Sequence, residues 1–214
     1  MSSGVKNRLV KLSNQGFKPK KILDIGANVG EFTIMCETIW PEVESNMVEA
    51  NKNCEAELSK LDQPFFIEVL GENDGDELTF YLTKDNDLCT GNSVYLEKTE
   101  HYSEDRVIKE KRETKKVDTL FKGEAFDLIK LDTQGSELDI LRGSTEVIED
   151  TKYVLIETSL KEYNIGAPLE KDIVGYMKSI GFGKYDILDV HKWPVNHGLF
   201  QKGEVFQRDV LFYK

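Results

Sequence analysis

The chain has little with which to staple itself together or to enter a membrane. Its three cysteines form no C-x-x-C pair and no even framework, which argues against a disulfide scaffold. Cys36 and Cys54 fall on predicted helices and Cys89 in a loop, so isolated, reduced thiols in a cytoplasmic protein are expected. No apolar run approaches the ~20 residues that a bilayer span needs, and the first residues lack the apolar core of a secretory signal. A soluble protein with no membrane span follows as the expectation. Positive charge is also short: 28 Lys and Arg against 39 Asp and Glu leave a net charge of −11. Such a molecule repels polyanions, which excludes nucleic acid as the natural partner and favours a polar small molecule or a carbohydrate. Only five prolines occur, and no Pro/Ser/Gly-rich linker divides the chain, so residues 1–214 read as a single domain.

What the chain does have is a nucleotide-style turn. Lys20-Lys-Ile-Leu-Asp-Ile-Gly-Ala-Asn-Val-Gly-Glu-Phe-Thr33 is a short apolar strand, a bend of small residues, and the start of an amphipathic helix. A pyrophosphate loop reads G-x-G-x-x-G, whereas the spacing here is Asp24-x-Gly26-x-Asn28-x-Gly30. Asn tolerates left-handed backbone angles, so Asn28 is a mild replacement for a central glycine. A carboxylate at Asp24 suits an α-amino group and would be misplaced beside phosphate. Phe32 and Thr33 lie just past the bend, where Thr33 has two roles open to it: touching a cofactor carboxylate or helping to start the helix. Nineteen residues beyond Gly30, the strand Asn46-Met-Val-Glu-Ala-Asn51 ends with Glu49 and Ala50 where a second βα strand meets a ribose. Glu49 can accept from both ribose hydroxyls. After a third predicted strand at 64–70, Glu72 and Asn73 stand where a side chain can accept from an adenine amino group, unless Asn73-Asp-Gly75 is simply a turn.

Several blocks, in order, resemble the FkbM family of methyltransferases. They are Asp24-Ile-Gly-Ala-Asn-Val-Gly30, Val48-Glu-Ala-Asn51, Gly71-Glu-Asn-Asp-Gly75 with Leu78-Thr-Phe-Tyr81, Val117-Asp-Thr-Leu120, Ile129-Lys-Leu-Asp-Thr-Gln-Gly-Ser-Glu137, and Leu141-Arg-Gly143. The family's Val-Glu-Gly is Thr133-Gln134-Gly135-Ser136 here, a departure on the substrate side of the expected pocket. The resemblance implies S-adenosyl-L-methionine as cofactor and O-methylation of a hydroxyl on a sugar or a complex natural product. It also implies an α/β, doubly wound Rossmann-like class I sheet, mostly parallel. The patterns at Tyr185–Val190 and Asp209–Tyr213 add an antiparallel C-terminal strand pair.

The strand Phe126–Asp132 is the second informative stretch. An ion inside a strand covered on both faces needs a partner, and Glu157 on the next strand, Tyr153–Glu157, is the expected partner of Lys130. Asp132, at the strand's end, reads either as a helix cap or as the group that takes the acceptor proton. As catalytic candidates we take Asp132 as base or orienting group, Glu157 and Lys130 as setting its charge, and His197 as reserve base. His191 and His197 lack metal-ligand spacing, so no metal is expected. Residues 77–121 read as a polar insertion folding over the site as a lid, and the charged run Glu104–Lys116 as a solvated face. Two other readings share the Gly turn and Glu49: an NAD-dependent oxidoreductase, and a non-catalytic module that only binds S-adenosylmethionine.

Overall fold

The computed structural model describes residues 3–84, 88, 90–193 and 200–214. Helix α1 (Ser3–Asn14) buries Val5, Leu9 and Leu12, the stripe its apolar spacing requires. Strand β1 (Lys21–Ile25) is buried at four of its five positions, as a central parallel strand must be. Helix α2 (Glu31–Ile39) begins at Gly30 and stops before Pro41. Strand β2 (Glu44–Glu49) leads through a 3-10 turn at Lys52–Cys54 into the short α3 (Glu55–Leu58). Asn51 caps the tighter turn by accepting from the Asn53 amide, and α3 adds only four residues to it.

The third expected strand is two strands. β3 (Phe65–Ile67) pairs with β2, and after Glu68 the chain switches sheets, so that β4 (Val69–Leu70) pairs with Thr114 and Lys115. β5 (Glu77–Thr83) and β6 (Val107–Lys115) form an antiparallel pair, giving a second sheet of order β4-β6-β5. The charged run thus lies largely in a nine-residue strand whose solvated positions dilute its apolar alternation; only Val107 and Thr114 are buried.

The remaining elements are α4 (Val117–Leu120), β7 (Leu128–Leu131), α5 (Glu137–Arg142), β8 (Tyr153–Ser159), α6 (Glu170–Ser179), β9 (Lys184–Lys192) and β10 (Val205–Tyr213). β8 runs two residues past the expected Tyr153–Glu157, because Arg208 and Gln207 pair with Thr158 and Ser159. The main sheet has seven strands in the order β3-β2-β1-β7-β8-β10-β9. β1, β2, β3, β7 and β8 run parallel, and β10 lies antiparallel between β8 and β9.

Alternate residues feed two cores, one on each face. Ile22, Leu128, Leu155 and Leu211 pack under α1 and α2 with Phe32 and Cys36. Their neighbours Leu23, Ile129, Val154 and Val210 pack on the other face under α5 and α6. The chain turns from β1 toward β2 on one side and reaches β7 on the other, so the order reverses between β1 and β7. A crevice outside the carboxyl ends of strands at such a reversal is where open α/β sheets take ligands. Cys36 and Cys54 are free and buried, and Cys89 lies outside the described residues. Among the described residues no helix is long and apolar enough to cross a membrane.

Candidate active site

The bend after β1 runs through left-handed backbone, with φ of 73° at Gly26, 49° at Asn28 and 82° at Gly30. Gly26 is needed for a second reason: a Cβ there would stand 1.9 Å from the Asp132 carbonyl oxygen, where β1 and β7 close on each other. Gly30 serves packing instead, since its missing Cβ makes room for Leu61 of the segment after α3. The Asn28 amide donates to Glu49 Oε2 at 2.7 Å and the Asn51 amide to Oε1 at 2.7 Å, so the carboxylate at the tip of β2 is fixed over the bend. Burial pushes the Glu49 carboxyl above its ordinary range, while these amide donors pull the other way.

Gly26, Asn28, Glu49, Ala50 and Asp132 line one cleft with apolar walls from Val48, Val69, Phe80 and Ile140. Glu72 and Asn73 do not reach it. They line a neighbouring depression, where Glu72 meets Arg142 at 3.4 Å and Asn73 meets Asp76 at 3.1 Å. The switch of sheets at Glu68 is the cause: it brings Glu68 to the cleft and carries residues 71–74 past it.

At the other rim, Lys130 is 4 % exposed and finds a different partner from the one expected. Its Nζ donates to the Gly26 carbonyl at 2.7 Å and lies 3.2 Å from Asp24 Oδ1 and 3.6 Å from Asp132 Oδ2. Burial alone would lower the ammonium's pKa; the Asp24 and Asp132 carboxylates more than reverse that, and the net direction is upward. Asp24 is fully buried, its other oxygen accepting from Thr33 Oγ1 at 3.0 Å. Both residues therefore brace the bend from beneath, and neither presents a polar atom to the cleft. Glu157 instead accepts from Gln134 Nε2 at 2.6 Å and Gln207 Nε2 at 2.8 Å.

Gln134, held at φ 57°, also donates to Asp132 Oδ1 at 3.0 Å and so joins the two acids. Asp132 is not a helix cap, since α5 starts at Glu137 with Ser136 before it. Glu137 folds back to accept from the Thr133 and Gly135 amides, holding the loop that carries Gln134.

Beyond Asp132 lies a second basin, lined by Phe32, Lys130, Asp132, Glu157, His191 and Asp209. Asn28, Thr90 and Asp132 border both hollows. His191 Nε2 stands 3.2 Å from Asp209 Oδ2, whose hydrogen bond pushes the imidazole pKa up against burial. The Glu157 carboxyl is pushed well above its ordinary range by burial first, then by the charges of Asp132, Glu137 and Asp209. Sequence reasoning missed Gln134, His191 and Asp209 as members of the site. Only antiparallel pairing of β9 and β10 brings the last two together, and no local spacing announces that. His197 lies outside the described residues.

The reversed strand order, the left-handed bend and an acid at the tip of β2 define a Rossmann-like class I methyltransferase fold. Solved structures share it at identities too low to show more than the fold. The precorrin-6y C5,15-methyltransferase of Geobacter metallireducens matches with a TM-score of 0.54 and 8% identity, over 100% of this chain and 89% of that one. A putative O-methyltransferase from Klebsiella pneumoniae gives 0.54 and 14%, over 100% and 80%. An S-adenosylmethionine-dependent methyltransferase from Clostridium acetobutylicum gives 0.53 and 12%, over 100% and 92%. No curated protein matches the chain. The family model for the methyltransferase FkbM domain matches residues 24–183, and the chain belongs to that family. By that family it is an S-adenosylmethionine-dependent methyltransferase, which sets aside the nicotinamide reading. The residues fit that cofactor: a bend with no side chain at Gly26, a carboxylate fixed at the tip of β2, and apolar walls from Val48, Val69 and Phe80.

Proposed function

We propose that the enzyme methylates a hydroxyl of a carbohydrate or a polyhydroxylated small molecule. S-adenosylmethionine, when bound, supplies an electrophilic methyl group on sulfur. Glu49 and the bend at Gly26–Asn28 are the residues that hold its ribose and amino-acid tail, and Val48, Val69 and Phe80 flank its base.

The observation that carries the reading is that Asp132 borders both hollows, one walled by Val48, Val69 and Phe80 beside Glu49 and the other carrying Glu157, His191 and Asp209. A hydroxyl brought into the second basin meets the Asp132 carboxylate, which takes its proton as the new bond forms. Gln134 and Lys130 fix where that carboxylate points, an orientation effect of the kind transfer between two bound groups depends on. Glu157 and Asp209 supply further acceptors for neighbouring hydroxyls. Residues 77–121 act as a lid: Thr90, Asn92, Ser93 and Val94 line the cleft. Ser93 Oγ donates to the Gln134 carbonyl at 2.9 Å, and Tyr95 OH to Asp139 Oδ2 at 2.6 Å.

Release of S-adenosylhomocysteine, measured across panels of free sugars, glycosides and polyols with amine-bearing analogues as controls, tests this. Turnover confined to hydroxyl acceptors is expected. Transfer to the amines alone would overturn it.

A further inference from the structure

The second basin contains a group of side chains that methyl transfer by itself does not call for. Glu157 on β8, Asp209 on β10 and His191 on β9 come from three neighbouring strands. They offer ligand atoms that all lie within 4.8 Å of one another. His191 Nε2 is 3.2 Å from Asp209 Oδ2 and 4.0 Å from Glu157 Oε1. Ligand atoms ~2.0–2.2 Å from a metal ion stand roughly 3–3.6 Å from each other, so a small rotation of Glu157 completes the fit.

Asp132, Glu157 and Asp209 bring three carboxyl groups to the basin. Lys130, which also borders it, lies 3.2 Å from Asp24 Oδ1 and 3.6 Å from Asp132 Oδ2. Glu157 Oε2 is held by Gln134 and Gln207, two neutral amides that set the plane of its carboxyl group. Such partners orient a ligating carboxylate in the way that outer hydrogen bonds do around metal ions.

We propose that Glu157, His191 and Asp209 form a divalent-cation site beside Asp132, with open positions for two adjacent oxygens of the acceptor. Two carboxylates and one imidazole favour Mn2+, Fe2+, Co2+ or Zn2+ over Ca2+. Three protein ligands leave the remaining positions to water or substrate. The acceptor class that fits is a vicinal diol or an α-hydroxy acid, chelated so that one oxygen lies next to Asp132. The role given to the acceptor rests on the methyltransferase reading above; the cation site itself does not.

The test is a titration of the EDTA-stripped full chain with Mn2+, read by loss of the free-ion paramagnetic resonance signal, with S-adenosylhomocysteine affinity measured in parallel by calorimetry. One Mn2+ per chain is expected, weakened at least tenfold in Asp209→Asn and His191→Phe, with S-adenosylhomocysteine affinity changed less than threefold. Should either variant fail to fold, the wild-type imidazole proton resonances decide. His101→Gln and His197→Gln assign the third of the three histidines by elimination. Substoichiometric Mn2+ should broaden the His191 signal first. Absence of stoichiometric Mn2+ binding, equal binding by folded variants, or broadening that spares His191 overturns the site. Loss of S-adenosylhomocysteine binding with Mn2+ binding intact would strike the methyltransferase reading instead.

Discussion

Asp24 and Lys130 stand directly opposite each other in the parallel pairing of β1 and β7, and their charged atoms meet at 3.2 Å with both side chains almost sealed from solvent. The pair ties the strand that begins the cofactor bend to the strand that carries Asp132. Its value is positional, because taking two charges out of water costs about as much as their attraction returns.

Removing one member leaves the other charge buried alone. Lys130→Met is expected to cost about 3–5 kcal/mol in urea unfolding. Asp24→Asn combined with Lys130→Met should cost less than Lys130→Met alone, since no uncompensated ion remains. A double variant weaker than that single variant would show that the pair stabilises outright.

In the proposed reading Glu49 holds the cofactor ribose through its charge. Its folded pKa lies above the ordinary value because burial outweighs the amide donors, so its carboxylate is lost at a higher pH than in an exposed Glu. A ribose hydroxyl needs the ionised form as acceptor. S-adenosylhomocysteine affinity should therefore fall as pH drops through that raised value, and Glu49→Gln should bind at least tenfold more weakly with a flatter pH profile. The same group sets a stability trend: the unliganded protein gains a contribution as pH falls through the folded pKa, because the native state then binds the proton more tightly than the unfolded chain.

Asp132 borders both hollows and is the base of the proposed reaction. Asp132→Asn keeps the hydrogen bond from Gln134 and removes the base, so kcat should fall at least a hundredfold while S-adenosylhomocysteine affinity stays within threefold. Normal turnover would reduce Asp132 to a brace.

Two glycines separate backbone strain from collision. Gly123 has φ 80° and open space around it, so Gly123→Ala should cost only about 1–2 kcal/mol for the left-handed backbone. Gly26→Ala adds contact with the Asp132 carbonyl and should cost more than Gly123→Ala, with a matching loss of cofactor affinity. Equal losses would mean that β1 and β7 can separate freely.

The bend and the acid after β2 were legible because each lies within one βα unit, where spacing along the chain equals placement in space. The partner of Lys130 was not. Alternation told which face it occupies but not which neighbour lies on which side. β7 runs between β1 and β8, and Lys130 sits in register with Asp24 on one side and Leu155 on the other. Glu157 is two residues further along, roughly 6.6 Å at a strand's rise per residue. Glu72 and Asn73 line the neighbouring depression for a related reason: in Pro64-Phe-Phe-Ile-Glu-Val-Leu70 the single charge at Glu68 does not mark a change of sheet. His191 and Asp209 belong to strands whose mutual register no sequence pattern states.

A co-crystal structure with S-adenosylhomocysteine tests the central claim most directly. The account predicts ribose hydroxyls on the Glu49 carboxylate, the amino-acid tail along Gly26–Asn28, and the sulfur facing the basin that holds Asp132. Ligand density that left Glu49 and the bend untouched would contradict it.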